Sequence, residues 1–254
     1  MPIRRITPSF RERLWGRTQL EPWFPNQEEK IGEVWFEAPE LPLLVKFLFT
    51  SAKLSVQVHP DDTTARELHD SPGKTEMWHV LAAEPGAKIA AGFREPITEQ
   101  RLRESALSGE IEDLLEWHDA APGDTFFIPA GKVHAIGAGV VLCEIQQNSD
   151  ITYRLYDYGR GRELHLGPGI SVSHRDRHEA RVSPTTNVLV ECDHFHVTQW
   201  RVDDAASHRS VGPTLYIAIQ GAGSIGGLST KAGEVWIADE AVELTGPMTL
   251  LLAK

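Results

Sequence analysis

The stretch that decides the fold is Gly123-Asp124-Thr125-Phe126-Phe127-Ile128-Pro129-Ala130-Gly131-Lys132-Val133-His134. Its apolar run follows a glycine and stops at Pro129, and Gly131 then provides a turn before the segment ends on a histidine. Apolar runs bounded by Gly and Pro are typical of short strands joined by turns. The pattern therefore predicts a β-hairpin that ends on His134, a side chain able to bind a metal.

Two further stretches carry side chains that can bind a metal. The first, Leu54-Ser55-Val56-Gln57-Val58-His59, alternates, and successive side chains on a strand point to opposite faces. Gln57 and His59 therefore share one face, and the apolar residues share the other. Glu76 opens a third predicted strand. Mixed nitrogen and oxygen ligands from separate strands suit a catalytic metal better than a closed structural zinc site, so we predict a metalloenzyme.

Each of these residues also has a simpler interpretation. His59 and His134 could be hydrogen-bonded core histidines, and Glu76 could form a structural ion pair. Gln57 could be a hydrogen-bonding neighbour of the metal ligands instead of a ligand. The joint placement of all four favours a metal site, because a carboxylate that begins an apolar strand needs a partner.

Composition limits the classes of function. The 254 residues carry a formal net charge of −11, which argues against a nucleic-acid partner. No run of 18 apolar residues exists, and no apolar segment follows the N-terminal arginines, so we expect no membrane association and a cytoplasmic location. Cys143 and Cys192 predict neither a disulfide framework nor a thiolate zinc site.

Short apolar runs separated by Gly and Pro dominate the chain, which is typical of an all-β sandwich or barrel. One helical interval, residues 97–118, interrupts them and should break at Ser108-Gly109; a short helix is expected at 63–68. A Gly- and Pro-rich linker at 167–186 divides the chain into predicted domains 1–167 and 168–254.

The second half carries a faint repeat of the first. Aligning Gly233 with Gly123 places Leu244 where the first half has His134. We therefore predict that residues 168–254 form a duplicated barrel that has lost its metal.

The pattern Gly-x5-Pro-x-Gly-x2-His resembles the second cupin motif at every fixed position. Longer strings, in the right order, resemble the type I phosphomannose isomerase family. They are Ser55-Val56-Gln57-Val58-His59-Pro60-Asp61-Asp62, Gly73-Lys74-Thr75-Glu76-Met77-Trp78, Ile128-Pro129-Ala130-Gly131-Lys132-Val133-His134-Ala135 and Glu144-Ile145-Gln146-Gln147-Asn148-Ser149-Asp150-Ile151-Thr152-Tyr153-Arg154. The resemblance covers about residues 10–165 strongly and implies two cupin-type double-stranded β-helix (jelly-roll) barrels.

The resemblance also implies the chemistry and the residues. The expected activity is interconversion of mannose 6-phosphate and fructose 6-phosphate through an enediol, with one Zn²⁺ per chain; Mn²⁺, Fe²⁺ or Co²⁺ are alternatives. The implied zinc ligands are Gln57, His59, Glu76 and His134. Arg154 is implied as the catalytic arginine, and Lys74 as a substrate-site lysine.

The resemblance leaves the proton carrier open, because Lys74, Glu76 and a metal-bound water are all candidates. Asp150 shares strand parity with Arg154 and could orient it. Many long family members have a histidine where this chain has Gly73, and their helical insertion is absent here. Of the basic residues expected near the site (Lys53, Lys74, Lys132, Arg154, Arg160 and Arg162), we single out Lys74 and Arg154.

Three alternative functions stay open at this point. An iron dioxygenase would prefer a His-His-carboxylate triad, which the glutamine at 57 and the Arg154 string disfavour. A non-catalytic sugar-phosphate-binding cupin would need neither Lys74 nor Arg154. A cupin isomerase or epimerase could also act on a related sugar.

Overall fold

The computed structural model describes residues 2–177, 179–182, 184–209 and 211–254, which are predominantly β-strand. The prediction of an all-β fold is confirmed. The strands in chain order are β1 (Arg4–Arg5), β2 (Ser9–Arg17), β3 (Ile31–Glu37), β4 (Leu43–Phe49), β5 (Val56–Val58), β6 (Glu76–Ala83), β7 (Lys88–Phe93), β8 (Leu115–Asp119), β9 (Thr125–Ile128), β10 (His134–Ile136), β11 (Val140–Gln147), β12 (Tyr153–Tyr156), β13 (Arg181–Val182), β14 (Val188–Glu191), β15 (His196–Val202), β16 (Ala205–Arg209), β17 (Thr214–Ile225), β18 (Leu228–Lys231), β19 (Val235–Ala238), β20 (Ala241–Thr245) and β21 (Met248–Ala253). The helices are α1 (Asp62–His69), α2 (Glu99–Ser108), α3 (Ile111–Leu114) and α4 (Leu166–Val172).

The chain groups into two compact units, one of residues 50–181 and one of residues 1–49 with 182–254. This grouping differs from the division that the sequence suggests, because residues 1–49 belong with the C-terminal residues. The division into domains 1–167 and 168–254 stays a prediction.

The unit of residues 50–181 contains two groups of antiparallel strands. One has the order β12-β5-β10-β7-β8, and the other has β6 between β9 and β11. In the first group His134 pairs with Gln57, and Gln57 pairs with Arg154 on its other side. Directly opposite residues of antiparallel strands project from the same face, so this register lines up three of the predicted site residues.

Helices cover the other face of the five-stranded group. Val56 and Val58 are fully buried there against Leu102 and Ala106 of α2, with Ile170 of α4 in the same apolar cluster. The apolar face of β5 must be shielded from water, and α2 and α4 shield it. Burial of these side chains holds the strand in the orientation that turns Gln57 inward.

The helical interval is shorter than we predicted. α2 ends where predicted, because Gly109 adopts a left-handed backbone with φ +91° and caps the helix. α3 then ends at Leu114, and the continuation predicted to His118 is wrong: residues 115–119 form β8, which pairs with β7. Backbone pairing with a neighbouring strand outweighs a helical spacing of apolar residues in so short a segment. The helix predicted at 63–68 is confirmed as α1, capped by Asp61.

The unit of residues 1–49 and 182–254 also consists of antiparallel strands. β2, β3 and β4 form a meander, and a larger sheet has the order β1-β19-β17-β21-β15-β14. Gly233 precedes β19 with φ +92°, as Gly123 precedes β9 with φ +91°. Leu244 is fully buried in an apolar cluster. The alignment of the two halves thus matches equivalent turns and replaces the histidine with a core leucine.

The apolar cover gives a test of what holds the Gln57 strand in place. We expect Leu102→Ala, which empties a fully buried position of α2, to lower the free energy of unfolding by about 2–5 kcal/mol. Leu107→Ala on the same helix is the matched control, because this side chain is 66% exposed and its truncation should change stability by less than about 0.5 kcal/mol. Urea unfolding of both variants measures the difference; equal effects would contradict the assigned role of α2.

Candidate metal centre

Three titratable side chains from different segments of the 50–181 unit meet in its interior. His59 follows β5, Glu76 begins β6, and His134 begins β10. One potential ligand atom of each lies within 4.8 Å of the other two, and all three residues are buried. The Glu76 carboxylate oxygens lie 3.6 Å from His59 Nε2 and 3.4 Å from His134 Nε2. Two ligand atoms about 2.1 Å from a shared tetrahedral ion are roughly 3.4 Å apart, so this group could hold a metal ion.

The two imidazoles are oriented by backbone carbonyls. His59 Nδ1 donates to the carbonyl oxygen of Ile151 and His134 Nδ1 donates to that of Lys132, both at 2.8 Å. Each ring therefore directs its Nε2 lone pair toward Glu76. Such an outer hydrogen bond fixes the tautomer of a metal-binding histidine.

The charge state of the imidazoles also favours a cation. Burial, together with the nearby charge of Lys74, lowers the pKa of His59 to about 3, and burial lowers the pKa of His134. Both rings are neutral at pH 7 and can donate a lone pair.

The Glu76 carboxylate is fully buried, and neither of its oxygens accepts a hydrogen bond of normal geometry. Burial by itself would raise the pKa of Glu76, but the positive charge of Lys74 and the imidazole of His59 outweigh it and hold that pKa well below its ordinary value. A buried, ionised carboxylate without hydrogen bonds is costly unless a cation faces it. The donor set therefore fits a divalent metal.

Gln57 lies beside this group, as its strand parity predicts. Its Nε2 is 3.3 Å from His134 Nε2, and its Oε1 accepts a hydrogen bond of 3.2 Å from Ser55 Oγ. Rotation of the terminal amide by half a turn exchanges these two atoms, so the residue can present an oxygen to a metal.

Lys74 reaches the same interior point. Its Nζ lies 3.1 Å from Glu76 Oε2 and donates to His59 Nε2 at 3.2 Å. The backbone holds the lysine there, since Lys74 N–H donates to the carbonyl of Pro60. A cationic amine therefore lies within reach of whatever the three ligands bind.

Gly73 is required by the turn that holds Lys74. A Cβ at this position would come within 2.6 Å of the backbone of Asp61 and of Asp62. The Gly73 N–H also donates to the side chain of Asp62. A histidine at this position, as in many long members of the family that the sequence resembles, would displace the turn, so the chemistry here uses other groups.

Arg154 faces the same interior as Gln57, its partner in register. Its Nη1 donates to the carbonyl oxygen of Glu163 at 2.9 Å, and its buried Nε has no hydrogen-bond partner. The suggestion that Asp150 orients it is wrong: Asp150 is exposed and precedes β12, and a loop carbonyl takes that role.

One acidic residue of the site was missed by the sequence reasoning. Glu144 is buried, pairs opposite Trp78, and accepts a hydrogen bond of 2.9 Å from its Nε1. The Trp78 ring in turn packs edge-on against His134 at 5.2 Å. The sequence could have indicated Glu144, because residues 144–154 form one of the stretches that resemble the family. Glu144 and Gln146 are two positions apart on one strand and so share a face, and Gln146 pairs with Glu76.

His79 lies outside the candidate ligand group. His79 lies on the face of β6 opposite Glu76 and bonds Thr125 Oγ1. Within the described residues, no helix has the length and hydrophobicity needed to span a bilayer.

Comparison with known proteins identifies what the chain is similar to. The catalytic domain of phosphomannose isomerase type I matches residues 12–79. The mannose-6-phosphate isomerase ManA of Bacillus subtilis is 34% identical over 264 residues, covering 84% of this chain and 83% of that protein. The mannose-6-phosphate isomerase of Streptococcus mutans is 36% identical over 214 residues, covering 79% of this chain and 66% of that protein.

Solved structures agree. The crystal structure of mannose 6-phosphate isomerase from Bacillus subtilis superposes with a TM-score of 0.90 at 26% identity and covers 98% of each chain. A putative mannosephosphate isomerase from Archaeoglobus fulgidus gives a TM-score of 0.81 at 18% identity over 99% of this chain and 96% of that one, and shares the fold. The predicted cupin-type fold class is confirmed.

Replacing a candidate ligand tests the metal centre without removing the fold. Loss of a hydrogen bond to a metal ligand lowers metal affinity by up to about 100-fold, and loss of the ligand itself should cost more. We therefore expect His134→Ala to lower the affinity for Zn²⁺ by more than about 100-fold. His79→Ala is the control, because it removes a buried histidine of the same unit from the opposite face of β6. Metal content by mass spectrometry and competition with a chelating dye measure both variants. Full metal content in His134→Ala would contradict the assignment.

Proposed function

Since this chain belongs to the type I phosphomannose isomerase family, we propose that it interconverts mannose 6-phosphate and fructose 6-phosphate through an enediol, using one bound Zn²⁺. The observation that carries the proposal is the buried group of His59, Glu76 and His134, which has Lys74 within hydrogen-bond distance. The relatives that bear the name of this activity match about four fifths of the chain.

We assign the metal to His59, Glu76 and His134, with the Gln57 amide oxygen as the fourth ligand. Neutral imidazoles, one carboxylate and one amide form a mixed nitrogen and oxygen set that zinc accepts and that Mn²⁺, Fe²⁺ or Co²⁺ can also occupy. The Glu76 oxygens are buried and accept no hydrogen bond of normal geometry, with Lys74 Nζ facing Oε2 at 3.1 Å, and this supports the assignment.

The chemical difficulty of the reaction is removal of a proton from a carbon beside a carbonyl group. A divalent cation bound at this site supplies a Lewis acid that polarises sugar oxygens and stabilises the developing negative charge. Arg154 adds a positive charge that does not deprotonate, and its buried Nε retains an unused donor for an anionic group.

Lys74 is the group that we propose to carry the proton between C1 and C2: its Nζ takes the proton from one carbon as the neutral amine and returns it to the other carbon as the ammonium. Its contacts with Glu76 and His59 place that atom beside the ligand group, which is the position the transfer requires. Glu144 is the second candidate, because it is a buried acid on the same face of its strand pair as Glu76. Glu76 is less suited, since metal coordination would occupy its oxygens.

The remaining predictions follow from this function. The partner is a small sugar phosphate, and the cytoplasm is the location that we expect. A related sugar is the principal alternative substrate, and a non-catalytic sugar-phosphate-binding protein is the alternative from another class. Two buried candidate acid–base groups, Lys74 and Glu144, favour catalysis over binding alone.

The function is tested by a coupled assay for fructose 6-phosphate formed from mannose 6-phosphate. We expect turnover by the purified protein, loss of turnover after treatment with a chelator, and recovery on addition of Zn²⁺. Glucose 6-phosphate and unphosphorylated mannose, assayed in parallel, report the substrate preference. Binding of mannose 6-phosphate without turnover at any tested metal would support the non-catalytic alternative and contradict ours. Oxygen consumption would indicate the dioxygenase.

The role of Lys74 has its own test. Because one positioned acid–base group contributes about 10²–10⁴-fold, Lys74→Ala should lower kcat by that factor while the protein keeps its zinc. Lys88→Ala is a control of the same chemical type, since Lys88 lies at the surface in an ion pair with Asp119. Near-normal turnover of Lys74→Ala would exclude it as proton carrier and direct attention to Glu144→Gln.

A further inference from the structure

The loop that follows β12 is organised around one buried carboxylate. Asp157 is only 3% exposed and receives two guanidinium groups. Arg162 binds it through two parallel hydrogen bonds, Nε to Oδ2 at 2.7 Å and Nη2 to Oδ1 at 2.5 Å. Arg160 donates to the same Oδ1 from Nη2 at 2.7 Å and to the Asp157 carbonyl from Nε at 3.1 Å. Bidentate charged pairs of this kind are among the strongest and most directional hydrogen bonds in proteins.

The same loop holds Arg154. After Arg162, the carbonyl oxygen of Glu163 accepts the hydrogen bond from Arg154 Nη1. Two further bonds tie the end of the loop to β12, since the Arg154 N–H donates to His165 Nδ1 and the His165 N–H donates to the Arg154 carbonyl. The direction of the Arg154 side chain therefore depends on where residues 157–163 lie.

The backbone of this loop would not keep its shape without such bonds. Tyr158 has φ +55°, a left-handed conformation that is unusual for a bulky residue, and Gly159 and Gly161 follow with φ +73° and +78°. Strained conformations of this kind persist where surrounding contacts impose them. Here the contacts come from Asp157 on one side and from Arg160, which also donates to the Lys53 carbonyl, on the other.

Charge gives Asp157 a second role. Burial lowers the pKa of Arg154, the charges of Arg162 and Arg160 lower it further, and the charge of Asp157 opposes them. Burial alone would raise the pKa of Asp157, but the hydrogen bond from Arg162 and the charges of both arginines hold that pKa below its ordinary value. The carboxylate thus offsets repulsion among three guanidinium groups.

We propose that Asp157 is a positioning residue for Arg154: it binds Arg160 and Arg162, fixes the loop of residues 157–163, and thereby holds the Glu163 carbonyl that orients the Arg154 guanidinium. This inference rests on the proposed isomerase function for its kinetic consequence only. The geometric consequence, a fixed Arg154 side chain, is independent of the reaction.

The test is a double-mutant cycle on the metal-loaded enzyme. Asp157→Asn turns a carboxylate oxygen into an N–H donor that faces guanidinium donors, so we expect kcat/KM for mannose 6-phosphate to fall roughly tenfold to a hundredfold through misplacement of Arg154. In an Arg154→Lys background the same change should cost less than about twofold, because the group it positions is already altered. If Asp157 acted on stability alone, Asp157→Asn would lower kcat/KM by the same factor in the wild-type and Arg154→Lys backgrounds, and that result would overturn the proposal.

Asp124→Asn is the matched control. Asp124 also pairs with an arginine, Arg181, in the same unit, and its loss should lower the melting temperature while leaving kcat/KM within about twofold of wild type. If kcat/KM of Asp157→Asn instead stays within about twofold of the wild-type value, as expected for Asp124→Asn, the proposal is overturned.

An NMR measurement separates this proposal from the isomerase function. The Nε–Hε resonance of Arg154, assigned by its loss in Arg154→Lys, should shift or broaden in Asp157→Asn and stay in place in Asp124→Asn. If the wild type fails to isomerise mannose 6-phosphate but this shift occurs, the proposed function fails and the positioning role stands. If the resonance does not move, the positioning role fails whatever the activity.

Discussion

The buried negative charge of Glu76 is the constraint on which the rest of the site depends. A carboxylate without exposure to water and without normal hydrogen bonds requires positive charge close to it. Two imidazoles with fixed tautomers and the Lys74 ammonium surround it, and a divalent cation bound there would add further positive charge. Two backbone carbonyls direct the imidazoles, so the arrangement is built into the main chain and does not wait for a ligand to form it.

Sheet register explains how distant parts of the chain reach this point. Arg154, Gln57 and His134 form a row across three adjacent strands, and a shift of one residue in any pairing would turn a side chain to the opposite face. The apolar cluster beneath that sheet prevents such a shift, because Val56 and Val58 are buried against α2 and α4. Packing on the outer face therefore contributes to the precision of the inner one.

Strand alternation and turn spacing were enough to predict the all-β class, because both depend on local periodicity. The grouping of His59, Glu76 and His134 came from their placement on predicted strands together with the family resemblance. What the sequence missed depends on tertiary contacts. β8 was predicted as helix and is a strand because β7 pairs with it. α4 overlaps the start of the predicted linker and was not predicted, since Gly167, Pro168 and Gly169 suppress any local helix signal. Asp150 shares parity with Arg154, but strand parity has no meaning before β12 begins, and the loop carbonyl of Glu163 takes the place assigned to it.

The two halves of the chain can be compared at the turn before β9 and the turn before β19. Gly233 and Gly123 adopt the same left-handed turn before equivalent strands, so the hairpin geometry does not depend on metal binding. Where the first half places His134 against a buried carboxylate, the second places Leu244 in an apolar cluster with Trp236 and Leu250. A lone histidine there would be an unsatisfied polar group, so an apolar residue suits this position. Conversely, a half that keeps Gln57, His59, Glu76 and His134 together, each buried or half-buried, bears a desolvation cost that apolar packing would remove. The cost of burying that set is the physical reason to propose that residues 50–181 carry the chemistry.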